Sequence, residues 1–253
     1  MNHRYLHLDL LRTLAVVLMV IYHFAYDLQM YAGWNLGLFE ATGWYLLRQS
    51  TASLFLLLVG ISFAISWNRH RANHAARPFI IRYKKYLLRG LGVIGCGMIV
   101  SVGTYVMEPE TYVRFGILHM IGASILLLPF FARAKEWNAM IGLGLGFGLG
   151  LGLGTMNTSL LIPFGIMPPD FATVDYFPLI PWFGIVLIGY AIGYAIYVRR
   201  KPPLFSIFNS LPAEALAKAG QFSILAWPGR HALLIYLVHQ PLLLGILAII
   251  RLL

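Results

Sequence analysis

Apolar residues gather along this chain into seven runs long enough to cross a bilayer: 8–28, 45–67, 86–106, 113–131, 139–155, 177–198 and 231–250. A helix needs about 20 such residues to traverse a hydrocarbon core of ~30 Å. A closed barrel would instead show many strands of about ten residues alternating in polarity, and no such rhythm runs through the sequence. The pattern predicts an all-α, polytopic transmembrane helix bundle of about seven spans. Nothing divides the chain into regions of different composition, so residues 1–253 are expected to form a single transmembrane domain. The longest polar connections fall at 68–85, 155–176 and 199–229, and the last carries Leu204, Phe205, Ile207, Phe208 and Leu211 at a spacing that suits a short interfacial helix. In the fifth run glycine occupies every even position from Gly142 to Gly154, which on a helix makes two i, i+4 rows for close packing. The same rows offer a face to a second copy, so a homo-oligomer is an open expectation.

Composition agrees with the pattern. The 253 residues are 59% hydrophobic and 11% charged, and mean hydropathy is +0.75, far above a soluble domain. The first run has no clear small-residue cleavage site after it and is read as a retained span. With the N terminus in the cytoplasm, all but Arg48, Arg114 and Arg251 of the 19 Lys and Arg fall on inner loops or inner helix edges. Asp27, Glu40, Glu108, Glu110, Asp170 and Asp175 fall outside. The positive-inside rule therefore gives an N-in, C-out orientation. The net charge of +10 becomes a topology signal whose partner is anionic membrane lipid, not nucleic acid. The lone Cys96 lies in the third run, which leaves no disulfide framework and no metal-thiolate motif, and no metal is expected.

Polar groups inside the apolar runs are the candidates for chemistry. Asp9, Arg12, Tyr22, His23 and Asp27 sit in or beside the first one. Inserting an Asp or Arg at a helix centre costs roughly 2.5–3.5 kcal/mol, so such residues normally face the bundle interior and serve a purpose. Asp9 and Arg12 lie near the inner surface, and His23 lies roughly 16 Å further along at 1.5 Å per residue. His23 and Asp27 share a face, where the carboxylate is placed to orient the imidazole. Other runs add Arg48 and Gln49, Arg114 and His119, and Asp175 to the outer half, and His239 with Gln240 near the midplane. Arg114 also suits snorkelling to lipid phosphate, and a lone His on an apolar helix often does no more than bond a neighbouring carbonyl.

Longer strings carry a resemblance. Leu8-Asp9-Leu10-Leu11-Arg12-Thr13-Leu14-Ala15 with Met19-Val20-Ile21-Tyr22-His23 resembles the first helix of two related groups of membrane acyltransferases. These are the heparan-alpha-glucosaminide N-acetyltransferase catalytic-domain family, with its bacterial members, and the bacterial acyltransferase type three family. Phe115-Gly116-Ile117-Leu118-His119, the segment Asp175 to Gly184, and Gly229-Arg230-His231 leading to His239-Gln240-Pro241 are similar to the first group. In the animal lysosomal members the proposed catalytic His stands just before a Trp-Asn pair, and the position matching His23 is Asn. Here the residues before Trp34-Asn35 contain no His, so the base would have moved to His23.

The resemblance implies an integral membrane acetyltransferase of a bacterial inner membrane. It would move an acetyl group from cytosolic acetyl-CoA to a sugar amine or hydroxyl outside, on a cell-envelope sugar or lipid-linked saccharide. In that reading His23, Asp27, His119 and His239 are catalytic. Asp9, Arg12, Arg82 and Arg230 hold the CoA end, and Arg48, Gln49, Arg114, Asp175 and Trp34 are polar groups on the acyl-acceptor side. The alternatives are a small-solute or lipid transporter, which also places ionisable groups near the midplane, and a haem protein using the histidines as axial ligands.

Overall fold

The computed structural model of the protein describes residues 5–38, 40–146, 155–199 and 224–252. It is all-helical, with no strand among the described residues: α1 (Leu6–Ala32), α2 (Thr42–Asn73), α3 (Phe79–Met107), α4 (Ile117–Phe131), α5 (Asn138–Gly144), α6 (Leu179–Gly193), α7 (Trp227–Arg230) and α8 (Ala232–Leu252). Six helical stretches among these residues are long and apolar enough to cross a membrane. One of them runs from α4 through α5, but Lys135 (φ 49°, ψ −121°) breaks it. Asn138 fixes that break, donating to the carbonyls of Phe131 at 3.0 Å and Lys135 at 2.9 Å. About seven spans thus fits the fold. Residues 147–154 of the fifth, with Gly148 to Gly154, lie outside the described residues, as do Leu204 to Leu211.

Helix ends depart from the apolar runs because hydropathy marks only what lipid requires. The connection expected at 68–85 is mostly helical: α2 continues to Asn73, and α3 starts at Phe79 behind Pro78. Proline there provides a fixed φ and needs no donor in the first turn. The fourth span starts late, since Val113 to Gly116 are drawn into pairing with 173–177: Val174 N–H donates to Thr111 at 2.8 Å and Phe177 N–H to Phe115 at 3.0 Å. The sixth begins irregularly, with Pro178 as its cap and Ile180 extended, so its regular turns start beyond Pro181. α1 ends at Gly33, whose φ of +74° is the left-handed closure that glycine adopts without strain, and the N–H groups of Gly33 and Trp34 both return to the Leu28 carbonyl.

Two compact units emerge, Met1–Phe55 with Pro203–Leu253, and Leu56–Pro202. In the first, α1 packs against α7 and α8. In the second, α3 packs on α4, and α5 and α4 pack on α6, around Leu56, Phe63, Tyr86, Leu128, Val186, Leu187 and Tyr190. Gly142 of α5 meets Gly184 of α6 backbone to backbone, so a methyl at either position would strike the facing carbonyl. That bears out the packing role of this glycine, and small residues at such a crossing gain the dispersion contacts that hold helices together where lipid is as apolar as leucine. α3 leaves Leu88, Leu91, Ile99, Val102 and Val106 exposed, an apolar stripe suited to acyl chains.

Candidate functional site

Three polar clusters stand out, two in the first unit and one in the second. The first is held by α1 and α8. Their faces bring His23 against His239, ring centroids 4.8 Å apart at 76°, and Gln240 against Asp27, with Nε2 donating to Oδ1 at 2.6 Å. Asp27 is fully buried and His239 is 7% exposed. His23 Nδ1 lies 2.9 Å from the Met19 carbonyl, and His239 Nδ1 lies 2.7 Å from the Tyr236 carbonyl. A carbonyl only accepts, so each ring carries its hydrogen on Nδ1 and keeps a lone pair on Nε2. His239 Nε2, Asp27 Oδ2 and Gln240 Oε1 are buried without a hydrogen-bond partner among the described residues. The cluster therefore leaves three buried accepting atoms uncovered.

This differs from the expected arrangement in one respect. Asp27 does not orient His23; the Met19 carbonyl does, because on a helix the i−4 carbonyl is nearer the ring than a carboxylate at i+4 that has its own partner in Gln240. Gln240 itself was visible in the sequence beside His239, and its hydrogen bond across to Asp27 was not.

The second cluster sits at the start of α1. Asp9, 3% exposed, lies between Arg12, bonded to its Oδ1, and Arg230, whose Nε is 3.5 Å from Oδ2. Thr13 completes a clasp with α7: its hydroxyl accepts from Gly229 N–H at 2.9 Å and donates to the Leu225 carbonyl at 2.8 Å. Gly229 has no room for a side chain, since a methyl would strike the Asp9 carbonyl. The structure thus joins three of the four residues expected at the CoA end, with the two cations sharing one carboxylate. The fourth, Arg82, belongs to the second unit.

In the second unit, Asp175 and His119 finish the start of α4. Asp175 Oδ2 accepts from Ile117 N–H at 3.0 Å, and His119 Nδ1 accepts from Gly116 N–H at 3.3 Å, so two of the donors a helix start leaves open are satisfied. His119 Nε2 faces Met98 Sδ at 3.4 Å, and its ring lies against Gly97. Arg114 stacks between Tyr112 and Phe171, 5.2 Å from each ring centre, with a buried Nε that has no hydrogen-bond partner among the described residues. Burial pushes the Tyr176 phenol up to about 12, so it remains a donor to the Ile162 carbonyl at 2.7 Å.

The remaining expected residues stand apart from the two histidines by their contacts. Arg48 is exposed and leans over Tyr45 of its own helix at 5.9 Å, Gln49 donates to the Tyr45 hydroxyl at 3.1 Å, and Trp34 is 58% exposed. Among the described residues no three His, Cys, Asp or Glu side chains come together as a metal cradle.

An all-helical chain with six stretches able to cross a membrane is a membrane protein, and this one buries imidazole, carboxylate and amide atoms without partners among the described residues. Residues 4–241 match the family described as Heparan-alpha-glucosaminide N-acetyltransferase, catalytic, and the chain belongs to that family. Membership carries a transferase character for a membrane protein. No curated protein and no solved structure matches the chain.

Proposed function

We propose that the protein is a bacterial inner-membrane acetyltransferase, oriented N-in and C-out. It would take an acetyl group from cytosolic acetyl-CoA and deliver it to a sugar hydroxyl or amine on the far side of the membrane. One observation carries the reading: the α1–α8 cluster buries three accepting atoms without partners among the described residues, on an imidazole, a carboxylate and an amide, beside a second imidazole whose Nδ1 hydrogen is held by the Met19 carbonyl. Buried accepting atoms without partners cost about 1–3 kcal/mol each. A ligand rich in O–H or N–H groups removes that cost, and a saccharide is such a ligand.

In this mechanism the attacking hydroxyl or amine gives its proton to His23 Nε2 as its oxygen or nitrogen bonds to the thioester carbonyl carbon. The C–S bond then breaks, and the proton passes to the departing CoA sulfur. The Met19 carbonyl fixes the tautomer this step needs, and Asp27 and His239 accept from the sugar's other donors. General-base help of this kind is worth about 10²–10⁴-fold. An acetyl-imidazole intermediate is the second chemical route, with His239 as the base for the second step. The test is release of free CoA from acetyl-CoA by protein in nanodiscs, supplied with a panel of envelope saccharides. Saccharide-dependent CoA release expected of wild type and missing from His23→Ala supports the reading; equal rates in the two reject it.

A transporter is the second reading, since a cluster of accepting atoms also suits an ammonium or other cationic solute. It predicts solute uptake into vesicles without CoA release. Haem is disfavoured at this pair, because rings 4.8 Å apart are too close to hold an iron and its porphyrin between them.

A further inference from the structure

One cavity in the second unit is not used by this mechanism. It measures about 220 Å³ and is lined by Trp67 and Arg71 of α2, Phe79 and Arg82 of α3, Pro129 of α4, and Ala132 and Arg133 just beyond it. Chain direction puts these residues at one end of the unit, where α2 and α4 finish and α3 begins. Three guanidiniums line it, and none of them has a carboxylate within ion-pair distance among the described residues. Arg82 Nε is buried there without a hydrogen-bond partner. Two aromatic rings stand beside them. Trp67 is 4% exposed and backed by Phe63, which stacks on it at 6.0 Å and 14°; Phe79, 37% exposed, meets Trp67 edge-on at 6.0 Å and stacks on Tyr83 at 5.8 Å.

We infer that this cavity binds the nucleotide end of the acyl donor, with phosphates on Arg71, Arg82 and Arg133 and the base against Trp67 and Phe79. The assignment rests on the acetyl-CoA reading above and deepens it. Unpaired guanidiniums at a cavity mouth raise their own energy by mutual repulsion, and a ligand of several negative charges reverses that sign. Arginine suits phosphate through its planar fork of donors. A general preference for basic residues at an inner membrane edge explains exposed Arg71 and Arg133, but not a buried Arg82 Nε beside an aromatic floor. A lipid headgroup shares the phosphate chemistry yet has no ring for Trp67 and Phe79, which favours the nucleotide. The Asp9 cluster is the weaker phosphate site of the two, because Asp9 already occupies both of its cations.

The test is equilibrium binding to protein in zwitterionic nanodiscs, with CoA, ADP and inorganic phosphate as separate probes. CoA and ADP should saturate, phosphate should compete weakly, and binding should fall with added salt. Arg82→Gln should weaken CoA and ADP at least tenfold. Arg133→Gln, at an exposed position that leaves folding intact, should weaken both several-fold. CoA binding indifferent to both variants overturns the cavity and leaves the donor reading standing. ADP binding that depends on Arg82, in protein that never releases CoA from acetyl-CoA, supports the cavity and rejects the donor reading. ADP that fails to bind in neutral nanodiscs, with Arg82-dependent retention of phosphatidylglycerol, assigns the cavity to lipid and overturns the nucleotide.

Discussion

Four strings of the sequence resemble the family, and they fold into two pairs, one in each unit, that are finished in opposite ways. In the second unit the segment around His119 meets the segment around Asp175, and each supplies what the other lacks: the carboxylate and the imidazole take N–H groups that the start of α4 leaves open. In the first unit the Met19–His23–Asp27 face of α1 meets His239 and Gln240 of α8, and accepting atoms remain uncovered. Buried polar groups are normally paired, and the exceptions call for a reason. The comparison teaches that resemblance to a catalytic family marks scaffold and site alike, and that hydrogen-bond saturation separates them.

The strongest way to break this comparison is to remove one imidazole from each pair. His23→Ala and His239→Ala should each cut acetyl transfer by about 10²–10⁴-fold, which is ~3–5 kcal/mol of barrier. Neither should lower the thermal midpoint, because neither ring supports a neighbouring helix end. His119→Ala should do the reverse, lowering the midpoint while each folded molecule keeps its turnover. Turnover lost in His119→Ala at an unchanged midpoint would make His119 part of the chemistry and dissolve the distinction.

Next in size is the clasp at the opposite end of α1. Gly229→Ala would push a methyl into the Asp9 carbonyl. Overpacking of that kind costs about 1–3 kcal/mol, to be read as an earlier thermal transition in nanodiscs. An unchanged midpoint would mean that α7 can back away from α1 without loss, and that the Asp9 triad is looser than its geometry.

Asp175→Ala should follow at about 1 kcal/mol, the usual loss for an N-terminal carboxylate that takes a backbone N–H, with CoA release per folded molecule unchanged. Loss of release without loss of stability would move Asp175 from capping to chemistry.

The sequence and the structure agree best where membrane physics is strictest. Lipid tolerates no unpaired backbone, so helices of spanning length are forced, and the apolar runs reveal them. Their ends were less legible. Arg69 and Arg71 extend α2 past its apolar run, because a charged residue at a helix end is cheap once it reaches the interface. Among candidate site residues, His23, Asp27 and His239 could be singled out because ionisable groups in apolar runs are rare. Their partners could not: the Met19 and Tyr236 carbonyls belong to every residue alike, and pairing of Gln240 with Asp27 depends on how α8 is rotated against α1. The arginine cavity did have a signal, Trp67 four before Arg71 and Phe79 three before Arg82, which puts ring and cation on one helix face in each case. From sequence, Arg82 falls at the CoA end but Arg71 and Arg133 serve only as orientation markers, and so the three are not joined.

The smallest expected effect tests where the first unit's site ends. Arg48 is exposed and its guanidinium leans over Tyr45, a contact worth roughly 0.5–1 kcal/mol at an exposed position. Part of that returns in Arg48→Ala as freed side-chain entropy, so the midpoint should stay within about 0.5 kcal/mol of wild type. Turnover at saturating acyl acceptor should also hold, because no described contact joins Arg48 to His23 or His239. The informative quantity is KM. If it is unchanged, the site is confined to the α1–α8 face, and α2 contributes only packing. If it rises several-fold while kcat holds, Arg48 binds the acyl acceptor away from the reacting atoms, which for a cation means a negatively charged group on the saccharide. The first unit's uncovered surface would then extend onto α2, with an anionic sugar as its substrate.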